Sequence, residues 1–215
     1  MIAGLILAAG AGTRFVAGVG TPSAAGVGTR SVAGAAGGGT RSWDGSKLLA
    51  ELGGRPLVEY AIAAQCAVPE ISRVVVVLGA DADEIRQRVS FGRAEVVVCH
   101  EWSRGQAASL RCGLSVLPDA DRVIITLGDE PLITPEVIGR FVHAPLGSRA
   151  VYDGHPGHPV VLGPDQVSAL AALMGDRGAR DVLRGGPTIE CGELCSGRDV
   201  DTVADLQAIR DQCGQ

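Results

Sequence analysis

Four short runs along the chain are almost wholly apolar: residues 2–9 (IAGLILAA), 73–79 (RVVVVLG), 94–99 (AEVVVC) and 122–129 (RVIITLGD). Each is aliphatic or β-branched and is bounded by Gly or charge. A strand exposed on one face would alternate apolar with polar positions, so these runs predict strands buried on both faces. Shorter strands are expected at 150–152, 159–162 and 188–191. Between them the apolar spacing turns helical. Helices are expected at 56–66, opening on Pro56; at 81–89, capped by Asp81; at 106–117, stopped by Pro118; and at 134–143, opening on Thr134-Pro135-Glu136. Further helices are expected at 165–174, 179–183 and 202–212. The alternation predicts an α/β domain with a Rossmann-like, doubly wound, mostly parallel sheet. Ligands of such sheets sit at the carboxyl ends of the strands.

One stretch breaks the pattern. Residues 16–43 are rich in Gly, Ala, Ser and Thr and repeat themselves as VAGVGTPS, AAGVGTRS and VAGAAGGGTRS. The repeat is too short for a solenoid unit and carries no apolar bulk to pack. It reads as a flexible loop insertion, a tandem expansion of the GAGTR element beside it. The expectation is one domain over residues 1–215 with a Gly-rich insertion at about 16–43.

Composition narrows the function classes. Hydrophobic residues make up 46% and aromatics only 3%, so the core rests on aliphatic side chains. A formal net charge of −5 provides no general attraction to nucleic acid. No apolar run approaches the roughly 20 residues that cross a bilayer. The apolar start lacks a basic region ahead of it and reads as a buried strand, not a signal peptide. Six Cys form no C-x-x-C pair. They read as free thiols of a cytoplasmic protein.

Several polar positions stand where strands end. Leu7-Ala8-Ala9-Gly10-Ala11-Gly12-Thr13-Arg14 follows the first strand. A Gly-rich turn there lets backbone N–H groups approach phosphate oxygens, and Arg14 adds a cationic fork. It also reads as a plain strand-to-helix turn. Lys47, after the insertion, could neutralise a triphosphate or lie on the surface. The loop lacks the spacing of a Walker A motif, and Phe15 occupies the last place of a dinucleotide Gly motif. Asp129, in Gly128-Asp129-Glu130-Pro131, closes a very apolar strand; it could hold Mg²⁺ or cap the next turn. Asp199 and Asp201 precede the last helix and fall on the same side of an extended strand, so one could be a second metal ligand; Asp201 or Thr202 could equally be the N-cap. Gly105, Ser109 and Leu110 lie at a helix start that could meet a base or ribose. His158, Asp176 and Arg180 sit in Gly-bearing polar turns able to shape an acceptor pocket, although a lone His is more often structural. No Ser-His-Asp or Cys-His arrangement stands out.

In order along the chain, these motifs resemble the MobA-like NTP transferases, especially the molybdenum cofactor cytidylyltransferases. The resemblance rests on LAAGAGTR (7–14), Lys47-Leu48-Leu49, Gly53 with Arg55-Pro56-Leu57, Gly105–Leu110 with Gly113, and Gly128-Asp129-Glu130-Pro131. It continues through His158-Pro159, Gly175–Arg180 and Asp199-Val200-Asp201-Thr202. It covers nearly the whole chain outside 16–43. It implies a nucleotidyltransferase fold in which Leu7, Ala8, Ala9, Gly10, Gly12, Thr13, Arg14 and Lys47 meet the nucleotide. It further implies that Asp129, with Asp201, holds Mg²⁺, that Gly105, Ser109 and Leu110 lie by the nucleoside, and that His158, Asp176 and Arg180 face the acceptor. The LAAG form implies CTP over GTP. The implied reaction moves CMP from CTP onto the phosphate of molybdopterin and releases pyrophosphate.

The sequence departs from the family between Arg14 and Lys47, which the family keeps a few residues apart. Deleting 16–43 would join GAGTRF to DGSKLL and restore that spacing. Arg41 competes with Arg14 for the phosphate role; strand one fixes the position of Arg14. Three rival readings stay open. One is the same transfer to another phosphorylated acceptor, such as a sugar phosphate or phospholactate. Another is a catalytically silent partner of a client molybdoenzyme. The last is a glycosyltransferase on a similar fold, against which Asp199-Val200-Asp201 lies too near the carboxyl end for a D-x-D metal motif.

Overall fold

The computed structural model describes residues 1–11, 45–171 and 183–214. A seven-stranded sheet runs through it in the order β5-β4-β1-β6-β8-β7-β9. The strands are β1 (Ile2–Ala8), β4 (Arg73–Leu78), β5 (Glu95–Val98), β6 (Arg122–Leu127), β7 (Arg149–Tyr152), β8 (His155–Leu162) and β9 (Thr188–Glu190). β1 lies between β4 and β6 and is parallel to both. β8 alone runs antiparallel to its neighbours β6 and β7. A small hairpin, β2 (Glu51–Leu52) and β3 (Arg55–Pro56), stands apart from the sheet.

The two faces of the central strands carry separate cores, as period-two alternation requires. Ile6, Ala8, Val74, Val76 and Ile124 face helices α1 (Leu57–Cys66) and α4 (Pro135–Val142). Leu5, Val75, Val77 and Ile125 face α3 (Gln106–Ser115) and α5 (Pro164–Ala171). α2 (Ala82–Arg88) follows β4. Helix α6 (Val203–Cys213) packs with the hairpin in a third cluster containing Leu52, Leu57, Val200, Leu206 and Ile209. Both faces of the sheet are therefore covered, and the polar ends of the strands are left to bind.

The expected strands all appear, and the doubly wound, mostly parallel sheet is as the alternation predicts. β8 is longer than expected and starts at His155. Thr134 caps α4 through its side chain, and Thr202 caps α6 in a reciprocal box with Asp205. Asp81 precedes α2 without a side-chain cap bond; its left-handed backbone, φ 55°, stands in place of the extended one a capping Asp adopts. The expected helix at 179–183, the last residues of that at 165–174 and the insertion at 16–43 lie outside the described residues, except that Leu183 falls in a turn. Among the described residues, Cys66, Cys99, Cys112, Cys191 and Cys195 are free thiols. No helix among them is long and apolar enough to cross a membrane.

Gln65 carries an amide into the core. Gln65, fully buried on α1, donates to Ile124 O at 3.2 Å and Thr126 Oγ1 at 3.0 Å. It fits only because residue 4 lacks a Cβ, which would stand 1.7 Å from Gln65 Oε1. Gly4→Ala should destabilise the fold by about 1–3 kcal/mol through overpacking, read as a lower urea midpoint at unchanged slope; an unchanged midpoint would show that Gln65 relocates freely.

Candidate active site

Three segments far apart in the chain meet at the carboxyl end of β6. The strand's apolar run stops at Leu127, and Asp129 follows where the backbone leaves the sheet. Gly128 N donates to Leu7 O at 2.9 Å, which sets this turn against the end of β1. Val200 N donates to Asp129 O at 2.9 Å, so the segment leading to α6 is stitched to the same turn. The capping box then fixes Asp201 one residue ahead of Thr202: Asp205 Oδ2 accepts from Thr202 N at 2.7 Å and from Asp201 N at 3.2 Å. Lys47 opens a 3₁₀ turn, Lys47–Leu49, whose Leu48 and Leu49 anchor it in the core.

The Lys47 ammonium lies 2.5 Å from Asp129 Oδ2 and 2.9 Å from Asp201 Oδ1. Its side chain is only 10% exposed. Burial works to depress its pKa, but the charges and hydrogen bonds of Asp129 and Asp201 outweigh burial and hold it above its ordinary value. Asp199 joins the cluster electrostatically: partial burial, then the charges of Asp201 and Asp129, push its carboxyl above the usual range. One ammonium thus serves a centre with more than one negative charge.

Two carboxylates that share one cation also offer oxygen donors to a divalent ion. Among the described residues no group of three or more His, Cys, Asp or Glu is arranged to hold a metal. Mg²⁺ does not require one, since it is commonly bound by one or two carboxylates together with substrate phosphates and water. Asp129 and Asp201 fit that demand, with hard oxygen donors converging on a single position that a cation already occupies.

Beside this centre, His158 Nδ1 lies 3.0 Å from Glu130 Oε1. Glu130 is buried, its side chain 5% exposed. Burial opposes the charged imidazole, yet the Glu130 carboxylate, then Asp129, outweigh it and raise the His158 pKa. The pair's contribution to stability is therefore fully present below the ordinary His pKa and is lost as pH rises through the higher folded value. No local sequence signal marks Glu130 as the partner of His158, because the contact spans 28 positions.

The other expected site residues divide. Ala8 and Ala9 are buried at the end of β1, Leu7 is half-buried and Gly10 is exposed. Ala80 N donates to Ala9 O, and Trp102 packs beside Gly79, so the turn before α3 borders the end of β1. Gly105, with φ 101°, starts α3; Ser109 is buried within it. Leu110 points into the core with Leu5 and Val77. Gly12, Thr13, Arg14, Asp176 and Arg180 lie outside the described residues.

The lysine and paired carboxylates stand at the carboxyl ends of the strands, where α/β sheets of this class bind their ligands. The chain belongs to the MobA-like NTP transferase family, whose domain model matches residues 35–192. That match takes in Arg41, with five residues between it and Lys47, and leaves Arg14 outside. Nicotine blue oxidoreductase from Paenarthrobacter nicotinovorans is 34% identical over 187 residues, which is 80% of this chain and 91% of that protein. The bifunctional protein GlmU of Mycobacterium avium is 35% identical over 124 residues, 54% of this chain and only 25% of GlmU. A nucleotidyl transferase from Methanothermobacter shares the fold with a TM-score of 0.73 at 20% identity, covering 99% of this chain and 97% of that one.

Replacing Lys47 by Met should leave the two carboxylates facing each other and lower stability by about 1–3 kcal/mol. Mn²⁺ should then restore the melting temperature of the variant more than it raises that of the wild type. Equal Mn²⁺ effects on both would show that the ammonium and the ion do not compete.

Proposed function

We propose that this chain transfers CMP from CTP to the phosphate of a molybdopterin-type acceptor and releases pyrophosphate. The observation that carries the reading is the Lys47 ammonium held between Asp129 and Asp201 at the strand ends. The LAAG run at Leu7–Gly10 supports CTP as the donor, through the family resemblance set out above.

An oxygen of the acceptor phosphate attacks the α-phosphorus in line, and the bond from that phosphorus to the bridging oxygen of the β-phosphate breaks. A phosphate nucleophile is already ionised near neutral pH, so no base must deprotonate it. Catalysis is then positioning and charge neutralisation. The sheet-bound end of β1 (Leu7 and Ala8) and the buried Ala9 position the turn from which Gly10, with Gly12 and Thr13, offers backbone N–H groups to the phosphates. Lys47 leaves the carboxylates for the phosphate oxygens when nucleotide arrives, joined by Arg14 or Arg41. The family match beginning at residue 35 supports Arg41; the junction with β1 supports Arg14. Gly105, Ser109 and Leu110 shape the nucleoside side, Leu110 from beneath. His158, Asp176 and Arg180 face the acceptor. Asp129 and Asp201 would hold Mg²⁺, which would supply positive charge to the phosphates.

A second reading follows from the relative named nicotine blue oxidoreductase: an oxidoreductase built on the same domain. One assay separates the two. The full chain and a form lacking 16–43 are incubated with Mg²⁺, molybdenum cofactor and CTP, GTP or ATP, and pyrophosphate is measured. CTP-selective release is expected, and Asp129→Ala should lower kcat by on the order of 10². Absence of release from either form, with turnover of a reduced nicotinamide or a dye instead, would replace the transferase reading by the redox one. Release only after deletion would show that the expanded loop silences a sound site.

A further inference from the structure

The proposed reaction assigns no task to Glu130 or Tyr152, yet both are built around His158. Glu130 is buried at the turn beside Asp129, and one of its oxygens lies 3.0 Å from His158 Nδ1. An ionised carboxylate can only accept, so Nδ1 carries the proton of that bond. Glu130 is itself held, its other oxygen 3.4 Å from Leu127 N. The Tyr152 hydroxyl donates to the His158 carbonyl at 2.5 Å. Its ring packs against Gly197, where φ is 58° and any Cβ would overlap it. Tyr152 thereby clamps the His158 strand to the segment that runs on to Asp201. His158 is thus held at its carbonyl and at one ring nitrogen, while its side chain keeps 23% of its surface exposed.

We propose that Glu130 is a positioning residue that fixes the His158 ring so that Nε2 is the atom offered to the acceptor's phosphate. The inference rests on the transferase reading for the identity of that phosphate. A ring bonded through Nδ1 has one remaining polar atom, and a carboxylate partner fixes both its orientation and its tautomer. A histidine without such a partner would turn about its side-chain bonds and offer either nitrogen. With Nδ1 held by the buried carboxylate, Nε2 is the donor that the imidazolium form directs outward, whereas the neutral ring presents Nε2 as an acceptor.

The test is ¹⁵N NMR of the histidine side chains of the full protein, which has four His, with His158→Gln identifying the signal. Above its own titration step, followed in the same spectra, the neutral His158 ring should carry its proton on Nδ1. In Glu130→Met the proton should redistribute to the Nε2-rich mixture of free histidine, and Glu130→Gln, which keeps an acceptor, should restore it. At about pH 6, inorganic phosphate should shift the wild-type Nε2 signal, and Glu130→Met should weaken that binding about tenfold, the loss of one hydrogen bond to a charged group. A wild-type ring protonated on Nε2 would overturn the proposal without any variant. A correct tautomer with no response to phosphate would overturn the assignment of Nε2 to the acceptor. Expected NMR results without pyrophosphate release from CTP would leave this inference standing and sink the transferase reading alone.

Discussion

A buried ammonium between two carboxylates joins parts of the chain that no local preference would bring together. Lys47 belongs to a short turn after the insertion, Asp129 to the end of β6, and Asp201 to the approach to α6. The Val200–Asp129 backbone bond and the cluster of Leu52, Leu57, Leu206 and Ile209 bring α6 and the small hairpin to the same edge. Surface ion pairs contribute about 0–1 kcal/mol. This one is largely shielded from water, so removing any partner leaves an uncompensated charge with a larger penalty. The centre is also unbalanced toward negative charge, with Asp199 close enough to feel Asp129 and Asp201. That imbalance is poorly suited to a purely structural bridge and well suited to a cation that arrives with substrate.

The rest of the architecture serves this edge. Aliphatic strands buried on both faces make a rigid sheet, and β1 at its middle ends where the glycine turn begins. Helices on both faces leave the carboxyl ends open. The pair of Glu130 and His158 stands beside the carboxylates: Glu130 shares the turn after β6 with Asp129, and His158 lies on the antiparallel β8. Tyr152 ties β8 to the segment that leads to Asp201 through His158 and Gly197.

Much of this was legible from the chain alone. Strands such as 73–79 and 122–129 are unmistakable because burial on both faces leaves their interiors aliphatic except for Thr126. Asp129 and Lys47 were legible because each follows a recognisable boundary. β8 was only partly so: Pro156, Gly157 and Pro159 read locally as a turn, and pairing with β7 and β6 draws the segment into the sheet. The side-chain cap expected of Asp81 yields to its left-handed backbone. Glu130 as a partner of His158 was not legible, because nothing near either residue records a contact across the sheet. The repeated GTR elements left Arg14 and Arg41 in competition for the phosphate role, and the family match takes in Arg41.

The central claim is that Asp129 and Asp201 are a cation site which Lys47 fills until nucleotide arrives. Electron paramagnetic resonance of Mn²⁺ titrated into the full chain, with and without a non-hydrolysable CTP analogue, tests it directly. The account predicts weak binding of Mn²⁺ alone and much tighter binding with the analogue, lost in Asp129→Asn. Equal affinity with and without the analogue, or tight binding that survives Asp129→Asn, would contradict it.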